Sequence, residues 1–262
     1  EARPQGTRTV PDREILDAVR RARSDTPQGS ETNSSLGRIT CRPEPPPAIN
    51  PVLAWEEIHE AFPKAHPDDL VRVSPVPIPD GQAQAALLLK TLYAPNDVLY
   101  LGEAHGKRVE QVSHHLKFLH RDEKLPPHIA PNPLTGQAQP TRSGLSLTRR
   151  GDNCVAAYRF AVVEFDDTSI QRQAAFWIFS ITRGVPVAAI IHSGGKSLHG
   201  WFRLDNVGTP DDWQAKVKHD LYARWLVPLG ADRSCAHPSR LSRLPGHIRR
   251  DTGIMQRLLY LS

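Results

Sequence analysis

Two stretches, RFAVVEFDD (159–167) and VAAIIHSGGKSLHGWFRL (187–204), decide how this chain folds. From Arg159 to Asp166 the residues alternate as a strand requires, with Ala161, Val163 and Phe165 to one side and Phe160, Val162, Glu164 and Asp166 to the other. Thr168 with Gln171 has the form of a capping box, and Ile170, Ala174, Ile178 and Ile181 then mark one side of a helix that Gly184 stops. Val187 to His192 is an apolar strand, Ser193-Gly194-Gly195-Lys196 a turn, and Ser197 to Leu204 the return strand of a hairpin. Thr209 caps a second helix, with Pro210 at its first position, Asp211 and Asp212 in its first turn, and Trp213, Val217, Leu221 and Trp225 facing inward. Gln256 to Leu261 reads as a last strand.

The resulting order is β-α-β-β-α-β, the split arrangement of RNA-recognition (RRM-like) and ferredoxin-like domains, so the expected class is α+β. A right-handed crossover makes the first two strands parallel, and the hairpin lays its return strand in the gap between them. Strands one and three are therefore expected side by side at the sheet centre. Glu164 and Asp166 should then share an open face with Ser197, His199, Trp201 and Arg203.

Upstream of this catalytic-looking core the sequence divides into two parts. Residues 1–50 contain a candidate helix, Pro11 to Arg23, followed by a Ser-, Gly- and Pro-rich arm or linker. Residues 51–157 read as a smaller α/β unit, with a helix near Val52 to Phe62, a strand Val98 to Gly102 and a helix Val109 to His120. The apolar stripe of that last helix, Val109, Val112, Leu116 and Leu119, turns His114, His115 and His120 toward solvent. Leu125 to Asn153 is proline- and glycine-rich and reads as a long loop, which in a compact domain is functional or mobile.

Composition narrows the class. The 262 residues suffice for a sizeable core. No apolar run has the length of a membrane span and the first residues lack a signal peptide's apolar stretch, so a soluble cytoplasmic protein is expected. The absent initial methionine and the end just after a strand read as a piece of something longer. Three cysteines (Cys41, Cys154, Cys235) are too few and too scattered for a disulfide framework or a four-ligand zinc site. The net charge is only +5, but six arginines (Arg233, Arg240, Arg243, Arg249, Arg250, Arg257) against two aspartates crowd the segment after Ala231. Arginine grips phosphates bidentately, although a solvated basic surface is the plain alternative.

Two carboxylates two positions apart on a strand stand roughly 7 Å apart and can converge on one divalent cation, for which hard oxygen ligands suit Mg²⁺ or Mn²⁺. An isolated E-x-D is most often just a wet strand end, but here the acids close an apolar strand. The Gly195-Lys196-Ser197 turn is not a phosphate-binding P-loop: Ile190 stands where that loop needs glycine, and a strand follows instead of a helix. Turn geometry explains the glycines. It leaves unexplained a lysine, a hydroxyl and a histidine placed beside two acids, a donor set suited to a triphosphate.

VVEFDD, SGGKSLHGWF and GADRSCAHPSRLSRLPG resemble, in order, the three motifs of the archaeo-eukaryotic primase superfamily, most nearly the primase-polymerases of bacterial mobile elements and prophages. The resemblance covers Tyr158 to Ser262, with a weaker echo in PHIAPNPLTG (127–136). It implies that Glu164, Asp166 and Asp232 hold the catalytic metals. Ser197, Lys196 and His199 would hold the incoming nucleotide's phosphates, with Arg243 and Arg240 matching the arginines that follow the third acid. The implied mechanism is two-metal nucleotidyl transfer on a single-stranded DNA template from nucleoside triphosphates, with a replicative helicase in the same or another chain as partner. Glutamate stands at 164 where aspartate is usual, and Asp167 beside Asp166 leaves two candidates for the second acid.

Arg249 and Arg250, beyond the RLPG turn, are expected to meet template. Arg149 and Arg150, with Arg142 in the long loop, are expected to help hold an initiating nucleotide. The rival from another class is a non-catalytic single-stranded nucleic-acid-binding module of a replication initiator, since the same sheet binds single strands through aromatics. A nicking initiator would need an H-x-H metal site, which the sequence lacks.

Overall fold

The computed structural model describes residues 49–106, 108–119, 124–141 and 143–262. The candidate helix at Pro11, the arm after it, Cys41, His120 and Arg142 lie outside the described residues. The chain is mixed α+β with antiparallel sheets.

Helix α1 (Pro51–Ala61) starts where the Asn50 side chain accepts from the Val52 amide at 3.0 Å, with Pro51 in the first turn. A short α2 (Pro67–Arg72) and α3 (Ala83–Leu92) follow, the latter burying Ala85, Leu88, Leu89 and Leu92 on one stripe. Strand β1 (Val98–Gly102) pairs antiparallel with β2 (Val109–Gln111), after which the chain turns into α4 (Val112–Leu119). The expected helix from Val109 thus begins three residues late, because Val109 to Gln111 complete a sheet edge. His115 is not at the surface either: it is buried, with Nε2 3.0 Å from the Leu99 carbonyl.

The stretch from Leu125 is not a structureless loop. It contributes β3 (His128–Ala130), which pairs with β1, and the small hairpin of β4 (Gln139–Pro140) and β5 (Leu147–Thr148).

Strand β6 (Phe160–Val163), α5 (Ile170–Thr182), β7 (Val187–His192) and β8 (Leu198–Arg203) realise the first half of the expected core. Helix α6 opens at Pro210–Asp212 and continues as π-helix over Trp213–Leu226. Its apolar residues Trp213, Val217, Leu221 and Trp225 are all buried. After it come β9 (Ser242–Arg243) and β10 (Arg257–Leu261).

The main sheet has the order β10-β7-β8-β6, all neighbours antiparallel. As expected, β8 lies between β6 and β7. Strand β6, however, is at the sheet's edge, because β10 joins β7 rather than β6. β6 also ends at Val163, not Asp166, and α5 is capped by Ser169, whose hydroxyl accepts from the Arg172 amide, not by Thr168.

Both faces of this sheet are covered. Gly200, Phe202 and Phe165 face α5, where Phe165 packs on Phe176 and Phe202 on Trp177. The other face carries Phe160, Glu164, His199 and Trp201, and it is not the open face expected. It meets the second sheet, β2-β1-β3-β9, through a 2.8 Å hydrogen bond from Trp201 Nε1 to Ser242 Oγ. One apolar cluster runs from Ile49 to Leu261. No described helix is long and apolar enough to cross a membrane.

A β-carbon at Gly200 would overlap the Trp177 ring. Gly200→Ala is therefore expected to destabilise the fold by about 1–3 kcal/mol or more through overpacking. A thermal melt matching the parent's would refute this packing.

Candidate active site

The outer edge of β6 is held by groups from elsewhere in the chain. Asn132 accepts from the Arg159 and Phe160 amides at 2.7 and 2.8 Å and donates to the Phe160 carbonyl at 2.9 Å. Tyr222 donates to the Val162 carbonyl, and the Asp232 amide to the Glu164 carbonyl at 2.9 Å. Edge strands normally expose such groups. Here the bonding brings Asp232 beside Glu164.

The two carboxylates share one guanidinium. Arg240 Nη2 lies 3.1 Å from Glu164 Oε2 and 2.9 Å from Asp232 Oδ2. Asp232 also accepts from the Ser234 amide at 2.8 Å and from the Ser234 hydroxyl. Glu164 Oε1 accepts from Ser197 Oγ at 3.3 Å, and His199 Nε2 lies 3.1 Å from it. Burial pushes the Glu164 carboxyl up, but His199 and Arg240 outweigh it and hold it at about 2. Glu164, Ser197 and His199 are each more than nine-tenths buried.

Ser197 is positioned by the turn and by α5. Its amide and hydroxyl both reach Ser193 Oγ at 3.2 Å. Gln173, fully buried on α5, donates to the Lys196 carbonyl and accepts from the Leu198 amide at 2.7 Å, pinning the start of β8.

Facing this from the second sheet are His128 on β3 and Arg243 on β9. Arg243 Nη1 lies 2.9 Å from His128 Nε2, and arginine can only donate, so the histidine's proton sits on Nδ1. Burial first, then Arg243, lowers the His128 pKa to about 4 and keeps the ring neutral. Sequence reading missed His128 and Asn132 as contributors; the PHIAPNP segment was their only signal.

Among the described residues, Glu164, Asp232 and Cys235 form a group whose ligand atoms lie within 4.8 Å of one another. Burial pushes the Cys235 thiol up to about 12, so it stays protonated and is a poor partner for a hard cation. The two carboxylates are the donors that fit Mg²⁺ or Mn²⁺. Asp166 is outside that group: it and Asp167 are exposed beyond the strand, and the Asp166 carbonyl accepts from Lys196 Nζ at 2.8 Å.

Several buried polar atoms around the site have no aligned partner: both nitrogens of His199, His128 Nδ1, Arg240 Nε and Arg243 Nε; the amide of Gln256, before the strand at the opposite edge of the sheet, has none either. Such atoms are costly to leave unpaired. The expected template arginines are differently placed. Arg249 pairs with Asp251 and lies against Gly194 and Gly195, while Arg250 is exposed. Arg150 stacks on the Tyr100 ring 4.8 Å away and bonds the Ala104 carbonyl, while Arg149 is exposed.

No family model and no curated protein matches the chain. Among solved structures, it is similar to the AEP domain of the cyanophage S-2L primase-polymerase, with a TM-score of 0.43 and 15% identity over 69% of this chain and 90% of that one.

The depressed Glu164 pKa ties stability to pH. Its contribution is present above the ordinary value of 4.5 and is lost as pH falls toward about 2. Melting curves of the parent and Glu164→Gln should therefore converge across that window. A constant difference between them down to pH 2 would disprove the charge-paired state of Glu164.

Proposed function

We propose that this chain is a DNA-templated nucleotidyltransferase of the primase-polymerase kind. One observation carries the reading: a carboxylate pair, Glu164 buried and Asp232 half-buried, which calls for a cation, adjoins buried donors without acceptors, which call for an anion. A divalent cation carried on a nucleoside triphosphate answers both demands at once.

Glu164 and Asp232 would anchor Mg²⁺ or Mn²⁺, with Asp166 joining from the exposed rim. Bound there, the ion would supply charge neutralisation at the reacting phosphate and activation of a primer 3′-hydroxyl. The protein's own groups do the rest. His199 and Ser197 on the floor, Arg243 from the facing sheet and Lys196 at the rim hold the phosphates in line. Arg240 neutralises and orients the two acids, and on this reading its free Nε–H turns toward the same phosphates. His128, neutral at working pH, adds a donor without adding charge. Single-stranded DNA would be met by the exposed Arg149 and Arg250, since Arg150 and Arg249 already have intramolecular partners. A helicase partner remains part of the proposal through the motif resemblance alone.

A single-strand binder using aromatic platforms is less well supported, because Trp201 and Phe160 on the sheet are almost fully buried in packing contacts.

Glu164→Gln and Asp232→Asn are each expected to reduce Mn²⁺-dependent primer extension by about 10²-fold or more while leaving a folded protein. His199→Ala should chiefly raise KM for the nucleotide. Extension at the parental rate in both acid variants would sink the proposal. Arg149→Ala and Arg250→Ala should each lower the salt slope of single-stranded DNA binding by about one unit. Parental slopes would place the template elsewhere.

Arg240→Met leaves the acids without their cation, a loss of about 1–3 kcal/mol for a partly buried pair. Millimolar Mn²⁺ should restore much of the lost melting temperature, since it binds the folded state. Destabilisation that Mn²⁺ does not relieve would mean that the acids are a structural ion pair.

A further inference from the structure

Three glutamines of the described chain are buried, and two of them spend both ends of the amide. Gln84 donates to the Pro79 carbonyl at 2.8 Å and accepts from the Leu258 amide at 2.8 Å. Gln173 donates to the Thr168 and Lys196 carbonyls and accepts from the Leu198 amide. Gln256 is also fully buried, yet neither its amide nitrogen nor its oxygen has a partner.

Its backbone is not loose. The Gln256 amide donates to the His247 carbonyl at 2.8 Å, and its carbonyl accepts from the Gly246 amide at 2.7 Å. Strand register sets its face. Leu258 stands opposite Ile191, and Ile191 opposite His199, so these three share the site face, while Arg257 points the other way to Asp68 on α2. Gln256 immediately precedes Arg257 and alternates back to the site face, one step along the strands from the cross-strand row of Leu258, Ile191 and His199 that leads to Glu164. It thus stands at the opposite edge of the sheet from the strand that carries the acids.

We propose that Gln256 reads a sugar hydroxyl of the bound nucleotide and so sets its ribo- or deoxyribo-, or 3′-hydroxyl, preference; this rests on the reading of the site as one for nucleoside triphosphates. The reason is the pattern of what is unpaired. A phosphate offers acceptors only and would satisfy the amide nitrogen while leaving the oxygen orphaned. A hydroxyl donates and accepts, and it satisfies both ends of one amide. The position agrees: the phosphates are held near His199 and the acids, and the sugar lies on from them along the row. A site built to hydrogen-bond a hydroxyl discriminates strongly against the analogue that lacks it, because the protein's polar group is then left unpaired again.

The test measures binding by calorimetry, with Mn²⁺ present, of ATP, 2′-deoxy-ATP, 3′-deoxy-ATP and inorganic triphosphate to the full chain and to Gln256→Leu. The parent should bind ATP about tenfold or more tightly than one of the two deoxy analogues. Gln256→Leu should lose that difference and bind inorganic triphosphate as the parent does. Removing an unpaired buried amide should leave its melting temperature equal or higher; if leucine does not fold there, Gln256→Met, unbranched like glutamine, takes its place. Discrimination that survives the substitution overturns the role of Gln256 and leaves the nucleotide site standing. Weakened triphosphate binding would make Gln256 a phosphate contact and overturn the proposal too. A parent that binds neither nucleotides nor triphosphate overturns the site reading and this inference with it.

Discussion

The hydrogen bond from the Asp232 amide to the Glu164 carbonyl joins two chain segments that lie far apart in sequence. Between them lie the whole of α5, the β7–β8 hairpin and the π-helical α6, so the meeting of the two residues depends on the packing of all three. The bond is one of a set that closes the edge of β6, with Asn132 and Tyr222 at the preceding residues. An edge strand left bare would present a template for pairing with another chain. Covered this way, it becomes a rigid rail along which the backbones of Glu164 and Asp232 are kept in register. The carboxylates converge because their backbones do.

Convergence of two acids is unfavourable without a cation, and Arg240 supplies one from the same C-terminal segment. The arrangement is self-consistent in the folded chain, since the guanidinium lowers the repulsion that Asp232's position creates. It is also incomplete. Arg240 keeps an unpaired Nε–H, and Arg243, His128 and His199 have unpaired nitrogens close by. A fold optimised for stability alone would pair or replace such groups. Their grouping near the acids is the observation from which we propose a ligand of mixed charge.

Much of this architecture was legible in residue order. The β7–β8 hairpin, the stop at Gly184, the Thr209-Pro210 cap and the placement of Glu164 and His199 on one face follow from period-two and helix-end signals that act over a few residues. The faults came from interactions that act over long separations. Alternation from Arg159 to Asp166 does not reveal that β6 ends at Val163. Nothing local reveals that Leu125 to Asn153 contributes β3, whose partners β1 and β9 lie well before and far after it. His128 therefore escaped notice although it pairs with Arg243 and lies near His199. Asp166 shows the reverse: its spacing from Glu164 was right for convergence, but the chain leaves the sheet between them.

The same division between local and long-range causes explains the unequal status of the arginines. Arg249 and Arg250 are adjacent in sequence and equal in charge, yet Arg249 is drawn to Asp251 and laid against the Gly194-Gly195 turn. Glycine is needed at 194, where φ is +70° and a β-carbon would press on the Ile254 carbonyl. Without side chains on the turn, the 249–254 segment can lie directly on it, with Thr252 Oγ1 donating to the Gly194 carbonyl at 2.9 Å. That contact fixes the approach to β10, and hence the point at which Gln256 enters the site face. The glycines of this turn thus act one step removed: they let a distant segment close over it and set where the chain enters β10, just after the buried amide of Gln256.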